Sequence, residues 1–292
     1  PKEIFETVLK TSKNAIKKSN IKPTDISAIG ITNQRETTVL WDKETGEPVY
    51  KAIVWQDRRT VNYCKELQKK GYTKKIQKIT GLVIDSYFSA TKIKWIIDNI
   101  ESSKKLLKEN RLLFGTIDTW ILWKLTEGRS HYTEATNASR TMLYDITKNS
   151  WSKSLLKIFN IPASILPVVK DSVDEFGYTT IFDSKIKIGG IAGDQQAATI
   201  GQACFEPGSI KSTYGTGCFM IMNIGKNIKI SKNNLLTTIA YRIKGKTTYA
   251  LEGSIFIAGA AIQWLRDSLK VISSAEETED LYKSNDKSQQ IY

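Results

Sequence analysis

The 292-residue chain is long enough for one large or two ordinary domains, each with a real core. With 40% apolar and 25% charged residues it reads as a globular protein; no apolar run approaches the ~18 residues of a membrane span, and the charged, amphipathic start is not a signal peptide. The net charge of +13 does not argue for a nucleic-acid partner, because only eight of the 43 basic residues are arginine and the lysines are spread along the whole chain.

Ile4, Phe5, Val8, Leu9 and Ile16 fall on one face of a helix that runs to about Lys18. Residues 26–32 form a buried strand that delivers Asn33, Gln34, Arg35 and Glu36 at its C-terminal end, where open α/β sheets hold their ligands. Residues 37–41 and 49–55 read as a hairpin closed over 42–48. A helix over 57–70 follows, then a loop through 81–88 and a helix over 90–100. A strand at 112–117 leads into a helix at 119–125. The less regular part from 134 to 183 holds a strand at 141–145 and a helix at 151–159. Residues 186–191 then read as a buried strand interrupted by Gly189 and Gly190, with a small-residue helix at 195–202 behind it. After the turn Phe205-Glu206-Pro207-Gly208 come hairpins at 209–223 and 237–251, a long helix at 254–271 and a polar tail after Ser273. The expected domain boundary lies at that turn, dividing 1–206 from 207–292.

Asp194 falls at or just before the start of the helix at 195–202, where it either caps free backbone N–H groups or faces a cleft. Tyr214-Gly215-Thr216-Gly217 places two glycines around a hydroxyl residue; positive φ at such a turn would bring a phosphate close to the backbone. A carboxylate at a helix start followed by a Gly-Thr-Gly turn suits phosphoryl transfer, although a capping Asp and an ordinary hairpin turn would look the same. Arg35 and Glu36 at a strand end could bind neighbouring hydroxyls, Arg donating in a fork and Glu accepting, or form a plain surface ion pair. Trp55 and Tyr87 are either pocket walls or core aromatics. Other chemistries lack their signatures. No Walker A loop is complete, since Ala240 stands where the opening glycine before Gly245-Lys246-Thr247 belongs. Met220 breaks the dinucleotide fingerprint begun by Gly215 and Gly217. His131, the one histidine, has no acidic or cysteine cluster around it and is expected at the surface. Three scattered cysteines fit neither a disulfide framework nor a metal site, which points to a reducing cytoplasm.

Several blocks carry a resemblance to the FGGY family of carbohydrate kinases, and within it to members acting on glycerol. They are residues 30–37 (Gly-Ile-Thr-Asn-Gln-Arg-Glu-Thr), 52–59 (Ala-Ile-Val-Trp-Gln-Asp-Arg-Arg), 191–202, 212–219 and 251–253, with Ser89, Lys92, Trp95 and Asn99 in register with a further family signature. The resemblance covers nearly the whole chain. It implies a two-domain α/β fold, ribonuclease-H-like as in the actin and hexokinase superfamily, with a cleft between the domains and the second domain truncated. It implies an ATP-dependent phosphotransferase that converts glycerol to sn-glycerol 3-phosphate with Mg2+ as cofactor. By the same resemblance Arg35, Glu36, Tyr87, Asp194 and Gln195 would contact glycerol, with Asp194 as general base. Trp55 and Phe219 would wall the carbon chain, and Thr216, Gly259 and Gln263 would contact the nucleotide.

Residues 1–206 would then be the glycerol-binding domain without its first strands, and 207–292 a truncated nucleotide-binding domain. The chain begins at Pro1 without Met, and the family's phosphate-gripping first turn and later adenine contacts are not found in it. It is therefore expected to be an inactive piece of a longer enzyme. Between Phe182 and Ile188 it also lacks the Gly-rich, Arg-bearing insertion that forms an inhibitor site in some members. No metal ligand is assigned, no membrane span or nucleic-acid partner is expected, and a homo-oligomer is left open. Two alternatives stand beside this reading: another FGGY sugar kinase of the pentulose type, and a non-catalytic ATP-binding regulator of the same superfamily.

Overall fold

The computed structural model describes residues 1–231, 233 and 235–284. The chain starts with α1 (Lys2–Ser19), whose apolar face packs through Ile4, Phe5, Val8 and Leu9, and continues into β1 (Ala28–Asn33). Then come β2 (Val39–Asp42), α2 (Val61–Lys69), α3 (Thr73–Thr80), α4 (Ser89–Asn99), α5 (Glu101–Lys108), β3 (Leu112–Gly115) and α6 (Ile117–Leu125). The irregular part holds β4 (Tyr132–Glu134), α7 (Ala135–Ala138), β5 (Tyr144–Asp145), β6 (Ser150–Trp151), α8 (Lys153–Phe159), β7 (Val168–Lys170) and β8 (Val173–Thr179). It ends in β9 (Ile186–Gly193) and α9 (Asp194–Gly201). Beyond the Pro207-Gly208 turn lie β10 (Ile210–Tyr214), β11 (Cys218–Gly225), β12 (Leu236–Ile243), β13 (Lys246–Ile255), α10 (Gly259–Asp267) and α11 (Glu277–Ser284).

Two sheets position the site. In the first, β9 is central, parallel to β1 and antiparallel to β8. The register sets Asn33 beside Gly193, so both strands end at one sheet edge and hand over to Arg35-Glu36 and to Asp194. The second is an antiparallel sheet in the order β10-β11-β13-β12. Helix α6 is buried at every residue but Lys124, as expected of a helix apolar all round. Its Trp120 and Trp123 pack on Trp41, with ring centroids 5.3 and 5.7 Å away. Helices α2 to α5 and α8 share a separate core with Leu40 and Ile53.

Several sequence expectations change. β1 was expected to be buried, yet only Ile31 and Asn33 are, because the strand lies at the edge of its sheet. The hairpin at 37–55 survives as bridges Thr38–Ile53 and Trp41–Pro48 only; β2 finds its strand partner in β3, a distant segment that local pattern cannot reveal. The helix expected over 57–70 starts at Val61, because Asp57 is used in a turn that holds Arg59. The strand at 141–145 shrinks to Tyr144–Asp145. The helix expected over 254–271 is replaced up to Ile255 by β13, and α10 begins only at Gly259. α3 and α5 had no counterpart in the sequence reading. Of the polar tail, 277–284 form α11, and 285–292 lie outside the described residues.

Candidate active site

Gln34, Arg35, Glu36, Trp55, Tyr87, Asp194, Gln195 and Phe219 line one cavity of ≈ 50 Å³. All seven residues expected to contact glycerol lie more than 18 positions from their nearest partner in another segment; the fold alone gathers them. The turn after β1 places Glu36 at φ 62°, left-handed backbone that side chains other than Gly rarely adopt. Its carbonyl is held there by Ser89 Oγ and Lys92 Nζ, both donating at 3.1 Å from the first turn of α4. This explains two residues whose register had been noted without a role. Burial pushes the Lys92 ammonium down to about 8, while the Glu36 carboxylate and others partly counter it.

Arg35 and Glu36 do not form a surface pair; both are buried. The Arg35 fork is taken by Glu252 of β13, Nη1 donating to Oε2 at 2.7 Å and Nη2 to Oε1 at 2.9 Å. The same two nitrogens also reach Gln196 Oε1 at 3.2 Å and the Tyr87 hydroxyl at 3.3 Å. The expected fork toward a substrate is therefore corrected: the group left near the cavity is Nε, 3.6 Å from both Glu36 Oε1 and Asp194 Oδ1. Arg140 closes a ring of two arginines and two glutamates, its Nε donating to Glu36 Oε1 at 2.7 Å and its Nη2 to Glu252 Oε1 at 2.9 Å. Burial raises the Glu36 pKa despite Arg35 and Arg140. At Glu252 burial also acts upward, but Arg140 and Arg35 together outweigh it and hold the carboxyl down to about 2.

Asp194 is the first residue of α9 and makes no capping bond; the cap position is Gly193. Its side chain is 46% exposed, so of the two earlier possibilities it faces the cleft. Gln195 Nε2 donates to Asp194 Oδ2 at 3.2 Å, and the buried Lys211 donates to Gln195 Oε1. Trp55 is the hub of the aromatic wall, with its ring centroid 5.7 Å from Tyr87, 6.0 Å from Phe219 and 6.0 Å from Phe256.

In the second sheet Thr216 and Gly259 are brought together: Gly259 N–H donates to Gly215 O at 3.0 Å and Ala258 N–H to Thr216 O at 2.8 Å. Neither Gly215 nor Gly217 has positive φ, contrary to expectation. Gly217 is required by close approach instead, since a Cβ there would lie 2.6 Å from Ile255 O. Gln263 sits one turn along α10, exposed and outside the cavity. His131 is corrected as well: it is partly buried, its Nε2 is 2.8 Å from Phe114 O, its ring meets Trp41 edge-on, and burial lowers its pKa. Sequence reasoning missed Arg140, Gln196, Lys211 and Phe256 and assigned Glu252 no role. The available signals were the 191–202 block, which contains Gln196, and the Leu-Glu-Gly block around Glu252.

Residues 1–201 match the N-terminal domain of the FGGY family of carbohydrate kinases, and residues 210–292 its C-terminal domain. A glycerol kinase of Chelativorans sp. (strain BNC1) is 57% identical over 294 residues, which cover 100% of this chain and 59% of that protein. A second similar protein, glycerol kinase 2 of Thermotoga maritima, is 58% identical over 283 residues, covering 96% of this chain and 57% of its own length. The crystal structure of Plasmodium falciparum glycerol kinase with ADP superposes with a TM-score of 0.89 at 41% identity, over 98% of this chain and 58% of that one. A ligand-bound xylulose kinase from Lactobacillus acidophilus, with a TM-score of 0.81 at 20% identity over 98% of this chain and 57% of that one, shares the fold. The chain thus spans less than two thirds of the length of these relatives.

Proposed function

Because the chain belongs to the FGGY family of carbohydrate kinases and has that family's fold, we propose that the protein transfers the γ-phosphoryl group of ATP to glycerol, giving ADP and sn-glycerol 3-phosphate. The observation that carries this reading is the cavity itself. It is lined by Arg35, two carboxylates, two glutamines and Tyr87, together with the rings of Trp55 and Phe219. Polar groups that can pair hydroxyls beside rings that can pack C–H bonds suit a polyol.

Arg35 Nε and Glu36 would hold two hydroxyls, with Tyr87 and Gln195 as further contacts and Trp55 and Phe219 on the carbon chain. Asp194 would accept the proton of the third hydroxyl as its oxygen bonds to phosphorus and the bond to the ADP oxygen breaks. Its exposed side chain at the head of α9 supports that role, because the entering phosphate needs an open face there. Thr216, Gly259 and Gln263 would meet the nucleotide on the second sheet. Among the described residues no group of three His, Cys, Asp or Glu could hold a metal by itself. A magnesium ion that arrives with the nucleotide and keeps most of its waters would be met by Asp194, the exposed carboxylate lining the cavity. Magnesium would supply charge neutralisation of the phosphates.

We further infer that the two units divide at the Pro207-Gly208 turn, 1–206 for glycerol and 207–292 for nucleotide, supported by the positive φ of 96° at Gly208 between α9 and β10. The scattered cysteines favour a cytoplasmic setting. Among the described residues no helix is long and apolar enough to cross a membrane. The test is the purified full-length protein with ATP and either glycerol or xylulose. Equal amounts of ADP and sn-glycerol 3-phosphate are expected from glycerol. ADP release with xylulose but not glycerol would overturn the reading.

A further inference from the structure

Gly193 is the residue on which both halves of the cavity rest. It carries Asp194 directly, and a Cβ on it would lie 2.7 Å from Cγ and Cδ of Arg35, so Arg35 packs flat on its backbone. It is also the last residue of β9, paired in register with Asn33 at the end of β1. Its N–H donates to Thr136 Oγ1 at 2.9 Å. Thr136 is fully buried and in turn donates its hydroxyl proton to Glu134.

Glu134 is a buried carboxylate with no cationic partner among the described residues. It accepts from the backbone N–H groups of Thr136 and Asn137, each at 2.7 Å, from Asn137 Nδ2 at 3.0 Å and from Ser172 Oγ at 3.0 Å. Asn137 then forms a reciprocal amide pair with Asn33, at 3.0 and 3.1 Å. Ser172 reaches β9 again, its carbonyl accepting from Ile191 N–H at 2.9 Å. Glu134 is also the N-cap of α7, through the N–H groups of Thr136 and Asn137. What the assembly holds is the end of β1 and the end of β9. Burial pushes the Glu134 carboxyl up to about 7 against the donors from Thr136 and Asn137, so the arrangement is costly and persists only where the surroundings enforce it.

We propose that Thr136, oriented by Glu134, is a positioning residue for phosphoryl transfer: its hydroxyl pins Gly193 and thereby sets the separation of Arg35 from Asp194. The inference rests on the glycerol kinase reading above. The Thr hydroxyl is suited to this task because it can accept from Gly193 and donate to Glu134 at once, which neither a backbone carbonyl nor a methyl can do.

The test uses the full-length protein with Thr136→Val, which keeps the shape and removes the hydroxyl, and Thr136→Ser, which keeps the hydroxyl and removes a methyl. Thr136→Val is expected to lower kcat for glycerol about 10–100-fold while KM for ATP stays within about twofold, the scale of loss for a misplaced reacting group. Amide exchange at Gly193, followed by NMR, is expected to speed up in the Val variant, and the Ser variant is expected to keep both properties near wild type. If Val fails to fold, Thr136→Ala carries the same expectations. Full kcat and unchanged Gly193 exchange in the variants without the hydroxyl would overturn the proposal, as would equal losses in Val and Ser. Should the unaltered protein fail to phosphorylate glycerol, the function falls separately. Gly193 exchange then decides the positioning role: faster in Val but not in Ser upholds it, and no change removes it.

Discussion

Asp194 and Glu36 are carboxylates a few ångströms from the same arginine nitrogen, yet their surroundings divide their work. Glu36 is buried, tied to Arg140, and carried on left-handed backbone that Ser89 and Lys92 hold in place. On the proposed function such a group would orient the substrate. Replacing it by Gln removes its charge but not its shape, and a hydrogen bond to a charged group contributes ~1.5–3 kcal/mol. Glu36→Gln in the full-length enzyme is therefore expected to raise KM for glycerol roughly tenfold or more with little change in KM for ATP. Steady-state kinetics with each substrate varied in turn check this; equal changes in both constants would remove Glu36 from the proposed glycerol site. Asp194, exposed at the head of α9, is the proposed base. Asp194→Asn is expected to cut turnover by about 10²–10⁴, the usual worth of a positioned base, while calorimetry shows only a modest loss of glycerol affinity. Turnover within a few-fold of the unaltered enzyme would mean another group is the base.

At the level of elements, the ring of Arg35, Glu36, Arg140 and Glu252 ties the loop after β1 and the segment after α7 to β13 of the second sheet. Its four charges cancel, which is the condition under which buried ions are tolerated. Glu252→Gln leaves two buried guanidinium groups short of a carboxylate and is expected to cost about 3–5 kcal/mol of stability by urea unfolding. The pH dependence has a definite sign. Because the folded Glu252 pKa is depressed from 4.5 to about 2, its contribution is fully present above 4.5 and is lost as pH falls toward 2. Unaltered protein should therefore lose stability more steeply than Glu252→Gln across that window. Parallel curves would show that the ring adds nothing specific to acid stability.

Across the whole molecule, burial is uneven. α4 and α6 are packed on nearly every side, whereas α10, which carries Gly259 and Gln263, has no buried residue. Around it Ile257, Trp264, Leu269 and Val271 are 68, 53, 48 and 61% exposed. Amide protection follows local packing, so in the 292-residue chain α10 is expected to exchange far faster than α4 or α6. Exchange measured by mass spectrometry on peptides from the three helices is the check. Protection of α10 equal to that of α6 would mean that its tie to the Gly215–Gly217 turn is enough to stabilise it.

Much of this was legible along the chain, and the reason is local. The alternation and apolar runs of β1 and β9, the glycines of the turns and the 3.6-residue spacing of α1 and α4 depend on neighbours a few positions away. They located the strand ends from which Arg35, Glu36 and Asp194 project, and the family blocks brought Trp55, Tyr87, Gln195 and Phe219 into the same cavity. Other features depend on partners a long way off in sequence. β2 pairs with β3 rather than with the segment that follows it, and His131 is drawn against Trp41. The Arg35 fork is spent on a glutamate 217 positions away, and Gly193 is pinned by a hydroxyl 57 positions before it. A buried arginine takes whichever carboxylate the packing brings within reach, because an unpaired charge in the interior is too costly to leave. The sequence by itself determined which residues stand at the ends of the strands. Only the tertiary structure decided which of their atoms remain free to meet a substrate.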